Sequence, residues 1–444
     1  MTETTSPSPA PAAPVRPSFG EAFRFWTKLG FVSFGGPAGQ IALMHEELVT
    51  RKRWISEPRF LHALSFCTLL PGPEAQQLAT YCGWLLHGTA GGIVAGALFV
   101  VPSIFLLWTL SLVYALYGKV PLVAAIFDGL KPMVLAIVAH AVLRIGKKAL
   151  PNRLAWALAG LAFVLIYVAK VPFPLIIAGA AAIGFLGGRA HPELFASKDP
   201  HAGGAPDDHA EQPLRAASAR PWRRLARVAA LCVTLWWLPV IAAGLAFGWH
   251  STFVSLGVFF SKAAMVTFGG AYAVLPYVAQ QAVEHFGWLQ PSQMIDGLAL
   301  AETTPGPLIM VVQFVGFLAA FHHPGTLAPV VAGTLGALIT TWVTFLPCFL
   351  WIFAGAPHIE RLRQVRSLRN ALTAVTAAVV GVVLNLAVWF GVHTIFPDGG
   401  GIHLFALVLA AGTFYGMMRR NWGLIRVVLA GAAIGLVRGL VFGG

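Results

Sequence analysis

The chain is expected to fold as an all-α polytopic membrane protein made of two homologous repeats of inverted topology, each interrupted by broken, re-entrant helices. Hydrophobic residues make up 57% of its 444 residues and charged residues 11%, about half the charged share of a water-soluble globule. Phe34-Gly35-Gly36 and Pro71-Gly72-Pro73 recur as Phe268-Gly269-Gly270 and Pro305-Gly306-Pro307, at a constant offset of 234 residues. Lys28 and Lys262, Val32 and Val266, Val49 and Val283, Trp54 and Trp288, and Leu64 and Leu298 keep that offset. The register therefore runs unbroken from Lys28 to Pro73, as a tandem duplication requires. Paired Gly- and Pro-interrupted apolar segments in two halves point to a transporter with its site at the repeat interface.

Residues 1–18 are rich in Pro, Ser and Thr and lack the apolar stretch of a signal peptide, so they read as a disordered cytoplasmic tail. The first repeat occupies residues 19–188. Within it Glu74 is the only formally charged residue between Phe60 and Lys119, which calls for apolar surroundings throughout. Residues 189–227 form a polar linker, Gly-, Pro- and Asp-rich from His201 to Glu211 and basic at Arg215, Arg220, Arg223, Arg224 and Arg227. The basic end places it in the cytoplasm. Residues 228–249 then cross the membrane once, which turns the second repeat, residues 250–444, upside down. The net charge of +13 sits mostly in clusters between apolar runs; it indicates membrane orientation, and no nucleic acid is expected as a partner.

Matching loops of inverted repeats must exchange their basic residues. Arg51-Lys52-Arg53 and Arg59 stand in the first loop of the first half, whereas the counterpart from Glu284 to Gln293 has no Lys or Arg. Conversely, the stretch from Tyr117 to Lys131 has only Lys119 and Lys131, against Arg361, Arg363, Arg366 and Arg369 in the second half. An odd number of crossings must separate Arg53 from Lys119. Because residues 90–117 supply one, the segment from Phe60 to His87, broken at Pro71-Gly72-Pro73, must enter and return on one side. This predicts four broken hairpins lining a cavity, the only place where irregular backbone is tolerable at membrane depth, with roughly nine full crossings around them.

A helix restarting after Gly-Gly or Pro-Gly-Pro presents unpaired N–H groups and about +0.5 of charge, and such ends bind anions. Gly35, Gly36, Gly72, Gly269, Gly270 and Gly306 are therefore candidate substrate-binding positions for a small oxyanion, with close helix packing as the alternative role for the paired glycines. Lys28 and Lys262, about two turns before Gly35 and Gly269, add positive charge if they face the breaks; otherwise they snorkel to the interface. Gln40, Gln76, Gln77, Thr303 and Thr304 offer neutral hydrogen bonds to the ion, or satisfy backbone freed by the prolines. Glu74 and Glu302 are costly carboxylates inside apolar runs. Either can carry a proton that alternates with anion occupancy, or serve in a structural pair with a lysine or a helix N-terminus.

Other residue types point elsewhere. Trp54 and Trp288 suit interface anchoring. Cys67, Cys82, Cys232 and Cys348 lack paired spacing and read as small core hydrophobes, while His45, His62 and His87 are single and unspaced, so no metal site is expected. No nucleotide-binding motif is present; the chain is read as a gradient-driven carrier with no catalytic residues and no cofactor.

Phe34-Gly35-Gly36-Pro37-Ala38-Gly39-Gln40-Ile41-Ala42, Leu70-Pro71-Gly72-Pro73-Glu74-Ala75-Gln76-Gln77-Leu78-Ala79-Thr80-Tyr81 and Gly83-Trp84 resemble the signature blocks of the chromate ion transporter family. Thr267-Phe268-Gly269-Gly270 and Glu302-Thr303-Thr304-Pro305-Gly306-Pro307-Leu308 are similar to its second-half blocks. The resemblance covers nearly the whole chain and includes the duplicated layout of the long-chain members. It implies export of chromate across a bacterial inner membrane, conferring resistance, with sulfate as competitor and the membrane potential or proton gradient as driving force. Lipid is then the main surroundings, and a homodimer is compatible with the reading. The alternatives are an importer of sulfate or molybdate and, from another class, a membrane-embedded redox enzyme.

Overall fold

A computed structural model of the chain describes residues 16–34, 36–190, 221–355, 366–397 and 400–442. Gly35, the tail before Arg16, most of the linker, and Arg361 and Arg363 lie outside the described residues. The first repeat contains α1 (Phe19–Val32), α2 (Gly36–His45), α3 (Glu57–Cys67), α4 (Glu74–Tyr117), α5 (Pro121–Ala149), α6 (Arg153–Tyr167) and α7 (Phe173–Ala190). α8 (Pro221–Phe247) joins it to α9 (Thr252–Val266), α10 (Ala271–Ala279), α11 (Pro291–Thr303), α12 (Val311–His322), α13 (Pro329–Gly355), α14 (Arg366–Ile395), α15 (Leu404–Arg420) and α16 (Leu424–Phe442). Among the described residues all regular elements are helical.

Local chemistry sets the helix ends. Ser18 and Glu21 form a reciprocal capping box at the start of α1, and prolines stand in the first turns of α3, α5 and α11, where the missing N–H costs nothing. α4 is not continuous. His87 and Gly88 leave helical geometry, Gly88 with φ +67°, so residues 74–86 form the returning arm of a hairpin and the remainder a full span.

The duplication holds beyond the motifs. Single π-turns follow α2 and α10 at Glu46–Arg51 and Gln280–His285, 234 residues apart at both ends. The exits from these turns coincide as well. Trp54 and Ile55 N–H both donate to the Leu48 carbonyl, and Trp288 and Leu289 N–H both donate to that of Ala282.

The repeats interlock by exchange: α5 packs against α15 and α16 of the second repeat, and α14 packs against α6 and α7 of the first. Glycines make this close approach possible. A Cβ on Gly129 would lie 2.1 Å from the Gly431 carbonyl oxygen, and one on Gly184 would lie 2.4 Å from that of Asn370. Seven helices among the described residues (α4, α5, α7, α8, α13, α14 and α16) are long and apolar enough to cross a membrane. α6 and α15, at 15 and 17 residues, extend about 22–26 Å, somewhat short of the ~30 Å hydrocarbon thickness. Phe105, Trp156 and Leu245 are among the large apolar side chains directed outward, 65–76% exposed, as lipid contact requires.

Candidate functional site

Helix is interrupted at four matching places: at Ser33 and Phe34, from Thr68 to Pro73, from Thr267 to Gly270 and from Thr304 to Pro307. The Pro-Gly-Pro breaks need backbone angles that only glycine adopts cheaply, with Gly72 at φ +122° and Gly306 at φ +107°. Before each Phe-Gly-Gly break a hydroxyl turns back on its own helix: Ser33 Oγ donates to the Leu29 carbonyl and Thr267 Oγ1 to that of Ala263, both at 2.6 Å. Both residues leave helical geometry, with ψ of 75° at Ser33 and 92° at Thr267, which turns their backbone carbonyls away from the ladders of α1 and α9.

Those carbonyls are taken by the opposite repeat. Gly72 N–H donates to Thr267 C=O at 2.7 Å, and Gly306 N–H donates to Ser33 C=O at 2.8 Å. Replacing each residue by its equivalent at the 234-residue offset (Gly72 by Gly306, Thr267 by Ser33) converts one bond into the other, so the two crossings are related by a pseudo-two-fold operation. The short turn Leu308–Met310 packs against both α10 and α4, which brings the crossings next to each other. Here the structure differs from the expectation that the Pro-Gly-Pro amides would all be open to an ion. A buried N–H must be paired, and the partner break supplies the nearest carbonyl for Gly72 and Gly306. Other donors remain: the amides of Gly269, Gly270, Ala271 and Tyr272 at the start of α10, and of Glu74, Ala75 and Gln76 at the start of α4, meet no acceptor among the described residues.

The backbone is symmetric here, but the polar side chains are not. Gln40 Nε2 donates to Ser33 C=O at 3.2 Å and to Gly306 C=O at 2.5 Å, bridging the repeats, while Val274 occupies its equivalent position. Gln77 Nε2 donates to Pro71 C=O at 2.8 Å; Ser103 Oγ, from the spanning part of α4, donates to Pro305 C=O. Gln40 Oε1, Gln77 Oε1 and both amide atoms of Gln76 are buried without a protein partner. Each such atom costs about 1–3 kcal/mol if nothing binds it. The crossings are therefore built for polar contents, water or solute.

The remaining sequence candidates divide. Glu302 is buried and accepts from the Tyr272 hydroxyl, with Arg144 of α5 within electrostatic reach; neither lysine pairs with it. Glu74 begins α4, half-buried, with no hydrogen bond or ion pair among the described residues. Thr303 and Thr304 spend their hydroxyls on the carbonyls of Leu300 and Ala301, which leaves oxygen lone pairs only. Lys28 and Lys262 are exposed, and Lys28 lines an open cleft beside α1. Trp288 is buried in an aromatic cluster, so packing explains it without an interfacial role. Three of the cysteines gather behind Gly72: Cys67 is within electrostatic reach of Cys82 and Cys348, and a Cβ on Gly72 would lie 3.0 Å from Cys348 Sγ.

Sequence reasoning missed a second buried carboxylate. Asp296 on α11 is 4% exposed, accepts from Tyr114 Oη at 2.8 Å and lies within electrostatic reach of Lys131. Its signal was present, since Asp296 interrupts an otherwise apolar run from Met294 to Ala301. Among the described residues no group of three or more His, Cys, Asp or Glu is arranged to hold a metal.

Residues 20–185 and 254–436 match the family described as chromate transporter. A chromate transport protein of Cupriavidus metallidurans is 29% identical over 372 residues, 82% of this chain and 80% of its own length. One from Pseudomonas aeruginosa is 32% identical over 375 residues, 84% of this chain and 81% of its own. A probable chromate transport protein of Synechococcus elongatus is 27% identical over 369 residues, 83% of each chain. No solved structure matches the chain.

Proposed function

The chain belongs to the chromate transporter family, and we propose that it is a secondary transporter exporting chromate, or a sulfate-like oxyanion of the same shape, across a bacterial inner membrane and so conferring chromate resistance. The observation that supports this best is the pair of reciprocal break crossings with donors left open beside them: the N–H groups at the starts of α4 and α10 and the buried, unpartnered Gln76 Nε2. N–H donors surround an anion without adding fixed charge, and a helix start contributes about +0.5 besides. In this reading Gly35, Gly36, Gly72, Gly269, Gly270 and Gly306 allow the backbone to approach the ion. Gln40, Gln76, Gln77, Thr303 and Thr304 line its path, with Gln76 Nε2 the donor among them that no protein group takes, and Lys28 and Lys262 add positive charge along it. The units are the repeats 19–188 and 250–444, with the linker 189–227 and the crossing 228–249 setting the inversion.

The driving force follows from charge. With the interior negative, expulsion of a dianion gains about 4.6 kcal/mol at 100 mV, twice the per-charge value. Glu74 and Glu302 carry the proton where a pH gradient contributes. Chromate and sulfate are tetrahedral dianions of similar size, so a cage of N–H donors discriminates weakly between them, and sulfate competes.

Purified protein in sealed liposomes tests the reading. Labelled chromate should cross in response to an imposed potential, with its oxidation state unchanged and with inhibition by sulfate. Conversion of the chromium, or no movement under any gradient, would overturn it.

A further inference from the structure

The hairpin formed by α1, α2 and the following π-turn encloses a cleft of about 360 Å³. Four cations line it, Arg24, Lys28, Arg51 and Lys52, with two carboxylates, Glu21 and Glu47. Glu47 pairs with Arg51 at 2.5 Å; Glu21 closes the capping box on Ser18 and lies within electrostatic reach of Lys52 and Arg24, so the cations of the cleft exceed its acids by two. Lys52 Nζ stands 4.8 Å from the Trp54 ring centroid. Arg24 and Lys28, one turn apart on the same face of α1, make no ion pair or hydrogen bond among the described residues. The cleft also reaches Leu29 and Val32; Val32 immediately precedes Ser33, whose carbonyl belongs to the crossing with Gly306.

The second repeat fills the same place. At the 234-residue offset Arg24 becomes Val258, Leu43 becomes Tyr277, Glu47 becomes Gln281, Arg51 becomes His285 and Lys52 becomes Phe286. The Phe286 ring stacks on Trp288 with centroids 4.1 Å apart, and Phe259 meets Phe286 at 5.7 Å and Tyr277 at 5.3 Å. Where the first repeat holds Lys52 over Trp54, the second therefore inserts an aromatic ring. One scaffold has been kept open and basic in one copy and packed shut in the other.

We propose that the cleft lined by Arg24, Lys28 and Lys52 is a loading site for a tetrahedral oxyanion, from which the ion passes along α1 to the Ser33 break, and that the plugged equivalent in the second repeat leaves the opposite face without one. The inference rests on the anion-transport reading and adds to it an entrance and a polarity. Arg24 supplies a planar fork and Lys28 and Lys52 point charges, a combination suited to an oxyanion. A free ion and a lipid phosphate share this chemistry; continuity of the cleft with the break favours the free ion. The neighbouring Arg51-Lys52-Arg53 puts the opening on the cytoplasmic side, where an exporter must load.

The test installs the second repeat's own residues, Lys52→Phe and Arg24→Val, which the fold already accommodates at the equivalent positions. Initial rates of chromate uptake are measured in phosphatidylcholine vesicles with the basic loop facing outward. Each variant should raise KM by about fivefold, the size expected when one charge near water is lost, with a flatter dependence of rate on ionic strength and Vmax within about twofold. Unchanged KM and salt dependence in both variants overturn the loading site. A difference seen only after phosphatidylglycerol is added assigns the cleft to a lipid headgroup, which also overturns it. If the unmodified chain moves no chromate at all, the transport reading itself has failed, a separate result.

Discussion

Gly306 shows how little freedom a single position in the crossing has. Its φ of +107° lies in the region that side chains avoid, and a Cβ there would sit 1.7 Å from Ser103 Oγ, the hydroxyl that holds Pro305 C=O. Gly306→Ala should cost at least about 1–3 kcal/mol from backbone strain alone and abolish transport, read as a lower unfolding temperature in detergent together with lost uptake. Adding Ser103→Gly removes the collision but not the strained angle, so the double variant should regain only part of the stability. Full recovery would mean that the angle itself is unimportant. Glu302 makes a different demand, because its carboxylate is held by Tyr272 in a buried site without a lysine partner. Glu302→Gln should leave potential-driven chromate movement in place while removing its response to an imposed pH difference. A variant that keeps the full response shows that the proton travels elsewhere. Glu302 was legible in the sequence as a carboxylate flanking Pro-Gly-Pro in an apolar run. Tyr272 was not, since a pairing across 30 residues leaves no periodic trace, and Ala38 stands at the equivalent place in the first repeat.

At the level of elements, the broken hairpins could be read in advance because Gly-Gly and Pro-Gly-Pro interrupt helices for reasons local to the backbone. The paired π-turns could not, since Glu46–Arg51 and Gln280–His285 share their place in the fold but only one residue, Val49 with Val283. Nor could the exchange of α5 and α14 between repeats, although its chemistry stands in plain view: Gly184 and Gly188 on α7, and Gly431 and Gly435 on α16, are spaced four apart, the small-residue pattern that lets membrane helices touch backbone to backbone. A Cβ on Gly435 would lie 2.2 Å from the Ala125 carbonyl oxygen, and one on Gly188 would meet Asn370 Nδ2 at 2.3 Å. Gly435→Val should therefore force α16 away from α5, at a cost of about 1–3 kcal/mol for overpacking. The expected result is a lower melting temperature of the solubilised protein. A Cβ on Gly412 would meet nothing within 4 Å, which makes Gly412→Ala the matched control; it should melt at or slightly above the parent temperature because alanine favours helix. Equal losses at both positions would remove the packing explanation.

For the molecule as a whole, the decisive feature is that neither repeat completes its own backbone. Gly72 donates to a carbonyl of the second repeat and Gly306 to one of the first, Gln40 reaches across to Gly306, and α5 and α14 each lie against helices of the other half. A repeat alone would leave these buried groups unpaired, each at about 1–3 kcal/mol, and would expose the small-residue faces of α7 and α16 to lipid. The sequence disclosed two copies and their opposed charge, but not that their breaks bond reciprocally, because an offset says nothing about which carbonyl meets which amide. Cutting the chain within residues 201–211 separates the halves while keeping α8 with the second, where it packs against α9 and α13. Each half expressed alone should insert yet move no chromate. Co-expressed halves should purify together through a tag on one of them and restore uptake, and Gly306→Ala in the second half should weaken that recovery although the first half is unaltered. Transport by a single half would show that the crossings between repeats are not the path of the ion, since half of every crossing would then be missing.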